Sequence, residues 1–185
     1  MIRLILALPL GLAAALAALP AAAQDFDSTY TDLDINECTL LSTDELGAQW
    51  ACPGYKGYPL YVAEGDLRFF VSYGFGALEQ RAATQGLGPF NTLGPRIEWR
   101  MSNATGDWKP FATILRYFTE PDPDYRGEVL VVTTLGPAGV CHIAYIDARA
   151  NPDPNAMARE VADSLARTFD CATEPLVWGV RDRSF

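Results

Sequence analysis

One stretch in the second half of the chain constrains the fold most strongly. Two β-rich runs, Glu128–Thr134 and Val140–Ile146, are separated by a turn containing Gly and Pro, which predicts a hairpin. Asp153 then opens an amphipathic segment that we expect to be helical and to stop just before Cys171. The stretch therefore predicts a hairpin followed by a helix that packs on the sheet.

The predicted helix has both a start signal and an apolar stripe. Asp153 is a suitable N-cap, and Pro154 suits the first helical turn. Large apolar side chains recur every four residues, which predicts one face packed on the sheet. That stripe consists of Met157, Val161, Leu165 and Phe169, and the side chains expected to face water are Arg159, Glu160, Asp163 and Arg167.

The other strands are predicted from alternation and from turn residues. Pro95–Ser102 alternates, with Ile97, Trp99 and Met101 expected inward and Arg96, Glu98 and Arg100 outward. Val129–Val132 is apolar at every position, which indicates a central strand covered on both faces. The polar residues 25–34 are expected to be irregular. Further strands are predicted at Pro59–Ala63, Leu67–Tyr73 and Lys109–Thr119.

The N-terminus has the pattern of a secretory signal peptide. Arg3 precedes an apolar run, and Ala21-x-Ala23 provides the small residues that signal peptidase requires. The alternative is a retained membrane anchor, because the run approaches spanning length. We expect cleavage, which makes residues 1–23 a signal peptide and residues 24–185 a single domain with no membrane insertion. The predicted location is periplasmic or secreted.

All four cysteines follow the predicted cleavage site. An even number in an exported chain indicates two disulfides, and four cysteines allow three pairings. We predict the sequence-local pairing, Cys38–Cys52 with Cys141–Cys171. A zinc site is the alternative, but the chain contains one His and no closely spaced Cys pair. No metal or cofactor is expected.

The charge balance limits the class of partner. The chain carries 14 basic and 23 acidic side chains, for a formal net charge of −9. Arg3 is the only charge in the predicted signal peptide, so the mature chain would be one unit more negative. Such an acidic domain argues against binding nucleic acid or anionic lipid. The partner is expected to be an unidentified envelope protein or a small ligand.

The most suggestive polar residues are four charged side chains on predicted strands. If the strands pair in sequence order, these residues fall on one sheet face with Phe70 and Phe118 beside them. Arg side chains with aromatic neighbours suit a carboxylate, a sugar or an acidic partner. A ladder of surface ion pairs is the alternative interpretation. The candidate binding residues are Arg68, Glu98, Arg100 and Arg116.

Catalytic motifs are scarce. His142 directly follows Cys141 in a predicted strand, so the two side chains point to opposite faces and cannot form a thiolate–imidazole pair. No nucleophile elbow, phosphate-binding Gly loop or Cys-x-x-Cys motif occurs in the sequence. A hydrolase could still pair Glu98 with Glu64 or Asp66.

Four segments of the sequence resemble uncharacterised exported bacterial proteins. The resemblance spans most of the mature chain and implies export and a single domain, without a substrate or a catalytic residue. The segments are Trp50–Gly57, Glu64–Arg68, Gly94–Arg100 and Pro110–Arg116.

Together these features predict an α+β domain. It should contain a mostly antiparallel sheet of about five to six strands, one face of which is covered by the C-terminal helix, and two disulfides. The preferred function is a non-enzymatic periplasmic binding or interaction module, such as an inhibitor or an accessory protein. The alternatives are a hydrolase of cell-wall or sugar substrates and a structural envelope protein.

Overall fold

The computed structural model describes residues 25–185. The predicted signal peptide and its cleavage site lie outside these residues. The described part contains ten strands and one α-helix, α1 (Pro154–Leu165). The strands are β1 (Phe26–Asp32), β2 (Thr39–Thr43), β3 (Gly47–Cys52), β4 (Leu60–Gly65), β5 (Arg68–Tyr73), β6 (Phe90–Ser102), β7 (Lys109–Asp122), β8 (Tyr125–Gly136), β9 (Gly139–Asp147) and β10 (Leu176–Val177).

The elements form three layers. A four-stranded sheet has the order β2-β3-β4-β5, and a six-stranded sheet has the order β1-β6-β7-β8-β9-β10. Among the described strands only β10 pairs in parallel, and α1 packs on the side of the six-stranded sheet that faces away from the smaller sheet. The predicted α+β class, with a mostly antiparallel sheet and a C-terminal helix, is confirmed. The four-stranded sheet is an additional layer that the prediction did not include.

Strand β8 confirms the prediction of a central strand. Val129, Leu130, Val131 and Val132 are each no more than 2% exposed. Val129 and Val131 pack into the core between the two sheets, whereas Leu130 and Val132 pack toward α1. An uninterrupted apolar run is therefore accounted for by two covered faces.

The core between the sheets is centred on Trp99. The side chains of Tyr58 and Tyr73 meet its ring edge-on, at centroid distances of 5.8 and 5.7 Å. Its indole Nε1 donates to the hydroxyl of Thr31, at 2.8 Å, so the polar atom of this buried residue is satisfied. Aromatic packing thus joins β6 of the larger sheet to β5 of the smaller one.

Helix α1 begins as predicted and ends earlier. Asp153 accepts a hydrogen bond from the backbone N–H of Ala156, and Pro154 occupies the first turn. The buried contact is made largely by small residues, Ala158 and Ala162, on either side of Val161. The helix ends at Leu165, before the predicted limit, and the carbonyl of the following Ala166 accepts from the Thr134 hydroxyl instead of continuing the helical pattern.

Both predicted disulfides are confirmed, and they account for all four cysteines. Cys38–Cys52 joins the start of β2 to the end of β3, with Cα atoms 4.4 Å apart. Cys141–Cys171 joins β9 to the segment after α1, with a Cα separation of 5.7 Å. Two such bonds indicate an oxidising, extracytoplasmic environment. Within residues 25–185, the structure contains no helix with the length and apolar character needed to cross a membrane.

Side chains from two segments distant in the sequence, one before β9 and one after it, support β9 and its end. The backbone N–H groups of Val140 and His142 donate to the side-chain carbonyls of Gln80 and Gln85, at 2.9 and 2.7 Å. At the end of β9, the buried carboxylate of Asp147 accepts from the hydroxyl of Ser184, at 2.7 Å. The C-terminal tail is thereby held against the six-stranded sheet.

Candidate functional site

A groove of about 450 Å³ opens where the turn between β4 and β5 meets the first residues of β6 and the β7–β8 hairpin. Both sheets contribute to it. Its volume lies within the range of small-ligand sites in proteins. Most of its lining is apolar, and the large apolar side chains are Trp50, Leu67, Phe69, Phe90 and Phe118.

Several of these apolar side chains remain exposed. Leu67 is 62% exposed, Phe90 41% and Phe118 40%. Each is large enough to contribute roughly 1.5–3 kcal/mol if it were fully buried. Apolar side chains gathered around one concave surface are typical of a binding site, whereas single exposed residues are normal.

Asn91 lines the groove and joins β5 to β6 through hydrogen bonds. This side chain is 4% exposed, its Oδ1 accepts from the backbone N–H of Phe69 at 3.0 Å, and its Nδ2 donates to the carbonyl of Pro89 at 2.9 Å. The Asn91 backbone N–H also donates to the carbonyl of Leu67. These bonds fix β5 against β6, so the groove is preformed.

The charged groups of the groove are two carboxylates and one guanidinium. Glu120 and Arg126 form an ion pair, at 3.3 Å, between two side chains that are each more than half exposed. The half-buried Glu64 accepts from the backbone N–H of Leu67, at 2.8 Å, and forms no ion pair with a basic side chain of residues 25–185. The groove therefore carries one uncompensated negative charge.

The turn beside the groove has an uncommon backbone. Gly65 pairs with Arg68, which leaves Asp66 and Leu67 as a two-residue hairpin turn. Their φ angles are 51° and 60°. A hairpin turn with two positive φ angles is usually formed by Asn-Gly or Asp-Gly, because a residue with a side chain is strained there. In this chain the second position holds a leucine.

The four predicted binding residues do not share one face, which corrects that expectation. Arg68 lies on β5 of the four-stranded sheet, because β5 pairs with β4 and the chain then crosses to the other sheet. Glu98, Arg100 and Arg116 lie on the side of the six-stranded sheet that α1 covers. Glu98 and Arg100 were expected to face outward, but they are 7% and 6% exposed.

The helix supplies the partners of the two buried charges. Arg159 donates to Glu98 at 2.6 Å, and Arg100 donates to both carboxylate oxygens of Asp163 at 2.9 and 2.6 Å. The Ser28 hydroxyl donates to Glu98 and accepts from Arg100, each at 2.5 Å. We call these five residues the helix–sheet ion network. Arg159 and Asp163 were predicted to face water, and their pairing with the sheet corrects that prediction as well.

The remaining members of the predicted cluster are distributed around the molecule. Arg116 pairs with Glu128 at 2.5 Å and lies 3.3 Å from the side chain of Asn155. The Arg68 guanidinium pairs with Asp66 and lies 4.8 Å from the ring centroid of Phe90, at the edge of the groove. Of the four residues, Arg68 is therefore the one beside the groove.

The carboxylate pair suggested for a hydrolase is not brought together. Glu98 lies beneath α1, whereas Glu64 and Asp66 belong to the β4–β5 hairpin of the other sheet. The two carboxylates of a glycosidase must flank one substrate bond. Glu98 and these two residues do not share a surface on which a substrate could lie.

His142 is buried inside the fold at 1% exposure. Its Nδ1 lies 3.0 Å from the hydroxyl of Tyr145, while its Nε2 has no hydrogen-bond partner among the described residues. Burial, together with the positive charge of Arg81, lowers the pKa of His142 to about 3. Burial raises the pKa of Tyr145 to about 12, with a further contribution from Glu174. Both side chains are therefore neutral at pH 7.

The groove itself was not predicted, and its signal in the sequence is weak. Leu67 follows Asp66 at a hairpin position that favours Gly, which is the one local irregularity that marks the site. Within residues 25–185 no group of three or more His, Cys, Asp or Glu side chains is placed to hold a metal ion. Comparisons with protein-family models, with curated proteins and with solved structures give no match to this chain.

Proposed function

We propose that the protein is an extracytoplasmic binding module, periplasmic or secreted, whose groove takes a small ligand with an apolar body. The observation behind this proposal is the groove of about 450 Å³ with three large apolar side chains left at least 40% exposed around it. Exposure of these apolar side chains to water is unfavourable, so a ligand that covers them gains the free energy of burying their surface.

The helix–sheet ion network argues against ligand binding on the arginine-bearing face of the six-stranded sheet. Its charged groups already pair with one another, so an external carboxylate or sugar would have to displace partners that lie within 3 Å. The apolar side chains of the groove are not held in such pairs, although the Arg68 guanidinium lies over the Phe90 ring at the edge of the groove. For this reason the groove, rather than the arginine-bearing sheet face, is the better candidate for a ligand.

The test uses a neutral fluorescent apolar probe, N-phenyl-1-naphthylamine, with the disulfide-bonded protein. We expect saturable enhancement of its fluorescence by the wild-type chain. Phe90→Ser removes an aromatic side chain from the groove and should weaken binding by about tenfold, which corresponds to about 1.4 kcal/mol.

Phe75→Ser is the matched control. It makes the same chemical change at a side chain that is 91% exposed and does not line the groove. Phe75→Ser should leave the affinity unchanged. Equal affinity in the wild type and in both variants would contradict the groove as the binding site, and the absence of saturable binding to the wild type would contradict a site for apolar ligands altogether.

A further inference from the structure

The β4–β5 turn combines a strained leucine with an unpaired carboxylate. We infer that this turn is the recognition element of the groove and that it selects an organic cation: Leu67 contacts the apolar body of the ligand and Glu64 receives its positive charge. This inference rests on the proposed function, because it assigns a ligand class to the same groove.

The backbone at Leu67 is strained. Its φ of 60° lies in the left-handed region, where any residue with a Cβ is strained and Gly is not. The side chain does not offset this strain by packing, because it is 62% exposed. Replacement by Gly would relieve the strain and lose only the smaller, covered part of the side-chain surface. A leucine at this position is therefore explained by a contact that the free protein does not make, and its side chain lines the groove.

The carboxylate of Glu64 has no cationic partner among the described residues. The neighbouring carboxylate Glu120 is neutralised by Arg126, and Arg68 is taken by Asp66. Glu64 lines the groove half-buried, with one oxygen accepting from the Leu67 N–H. A half-buried carboxylate without a cationic partner favours a positively charged group on the ligand and disfavours a negatively charged one. The negative net charge of the chain acts in the same direction.

A hydrogen bond from the Leu67 N–H to Glu64 connects the strained residue to the carboxylate. It joins the backbone of the leucine to the Glu64 carboxylate, and both residues line the groove. One short turn therefore supplies both an apolar contact and a charge, which an amphiphilic cation matches.

The experiment compares three molecules that share one apolar body and differ in charge. 3-Phenylpropylamine is a cation at pH 7, 3-phenylpropan-1-ol is neutral, and 3-phenylpropanoate is an anion. Each is titrated against protein loaded with N-phenyl-1-naphthylamine, and the displacement midpoint is recorded. We expect the amine to displace the probe at about tenfold lower concentration than the alcohol, and the anion to be the weakest.

Three variants of the turn separate the charge from the apolar contact. Glu64→Gln keeps a carbonyl acceptor for the Leu67 N–H and should remove the preference for the amine over the alcohol. Leu67→Gly should raise the melting temperature by about 1–4 °C because strain is relieved, yet weaken amine binding by about tenfold. Leu67→Ala should weaken binding without raising the melting temperature.

Lys56→Gly is the control for the backbone effect. Lys56 has a φ of 47° and lies outside the groove, so this change should also raise the melting temperature but leave binding unchanged. Equal midpoints for the three molecules, while N-phenyl-1-naphthylamine still binds, would overturn the cation inference and leave the proposed function standing. Unchanged amine binding in Leu67→Gly would overturn the role of the turn. Failure of N-phenyl-1-naphthylamine to bind the wild type would overturn both.

Discussion

The helix-covered face of the six-stranded sheet and the groove beside the β4–β5 turn differ in which side chains find partners within the protein. On the helix-covered face, Glu98 and Arg100 are almost fully buried and their charges are matched by Arg159 and Asp163. In the groove, large apolar side chains remain exposed and the charge of Glu64 is unmatched. One region completes its interactions internally, and the other leaves them available.

The difference shows why a cluster of charged residues is weak evidence for a binding surface. Removing two charges from water is costly unless they pair with good geometry, and α1 supplies that geometry. The same pairing leaves the network little capacity for an external ligand. Side chains without an internal partner are the more informative sign of binding, and here they are mainly apolar.

The largest expected effect comes from breaking the helix–sheet ion network. Arg100→Ala leaves the half-buried Asp163 carboxylate without its bidentate partner, so it should lower the free energy of unfolding by about 3–5 kcal/mol. Urea unfolding of the disulfide-bonded protein measures this change. The double variant Arg100→Met with Asp163→Leu removes both charges and should be close to wild type. A loss below about 1 kcal/mol in Arg100→Ala would mean that water solvates this pair.

An intermediate effect is expected from His142, a buried polar side chain whose ring lacks a charged partner. The pKa of His142 is about 3 in the folded protein, whereas the usual value of 6.5 applies to the unfolded chain. Between these two pH values the unfolded chain therefore binds a proton that the folded chain does not. Stability should therefore fall as the pH decreases through this window, by about 1.4 kcal/mol at pH 5.5.

The measurement for His142 is urea unfolding at pH 7.5 and pH 5.5. His142→Gln cannot take up the proton, so its stability should depend less on pH than that of the wild type, by about 1.4 kcal/mol. Identical pH dependence in the two proteins would show that His142 titrates in the folded state at its ordinary pKa.

The smallest effect is expected at the turn itself. Asp66→Asn removes the ion pair with Arg68, but Asp66 is 82% exposed and Asn tolerates a positive φ. The free energy of unfolding should change by less than about 1 kcal/mol. Urea unfolding of Asp66→Asn and Arg100→Ala under the same conditions compares the two losses of unfolding free energy directly. A loss as large as that in Arg100→Ala would show that the turn, too, depends on an internal ion pair.

Local patterns in the sequence predicted much of the six-stranded sheet. The apolar run at Val129–Val132 predicted a strand with two covered faces, and Asp153 with Pro154 marked the start of α1. The two disulfides followed from the local spacing of the cysteines. These features could be predicted because each leaves a local pattern in the sequence or, for the disulfides, joins cysteines only 14 and 30 residues apart.

The features that the sequence did not predict depend on contacts between distant segments. Residues 25–34 are polar, yet most of them form β1, because that strand pairs with β6. Alternation at Glu98 and Arg100 identified one face of β6 but could not show that α1 covers it. The groove requires β4, β5, β6 and β7 to meet, and these strands come from both sheets.

The glutamine contacts at β9 bear on how this sheet avoids self-association. A bare strand edge presents a row of backbone groups to which another chain can add. At Val140 and His142 the outward N–H groups are already occupied by the amide carbonyls of Gln80 and Gln85. A side-chain amide accepts these bonds without forming a new strand edge of its own, so at these two positions no N–H group is left for an added strand. Gln80→Ala with Gln85→Ala would free both N–H groups.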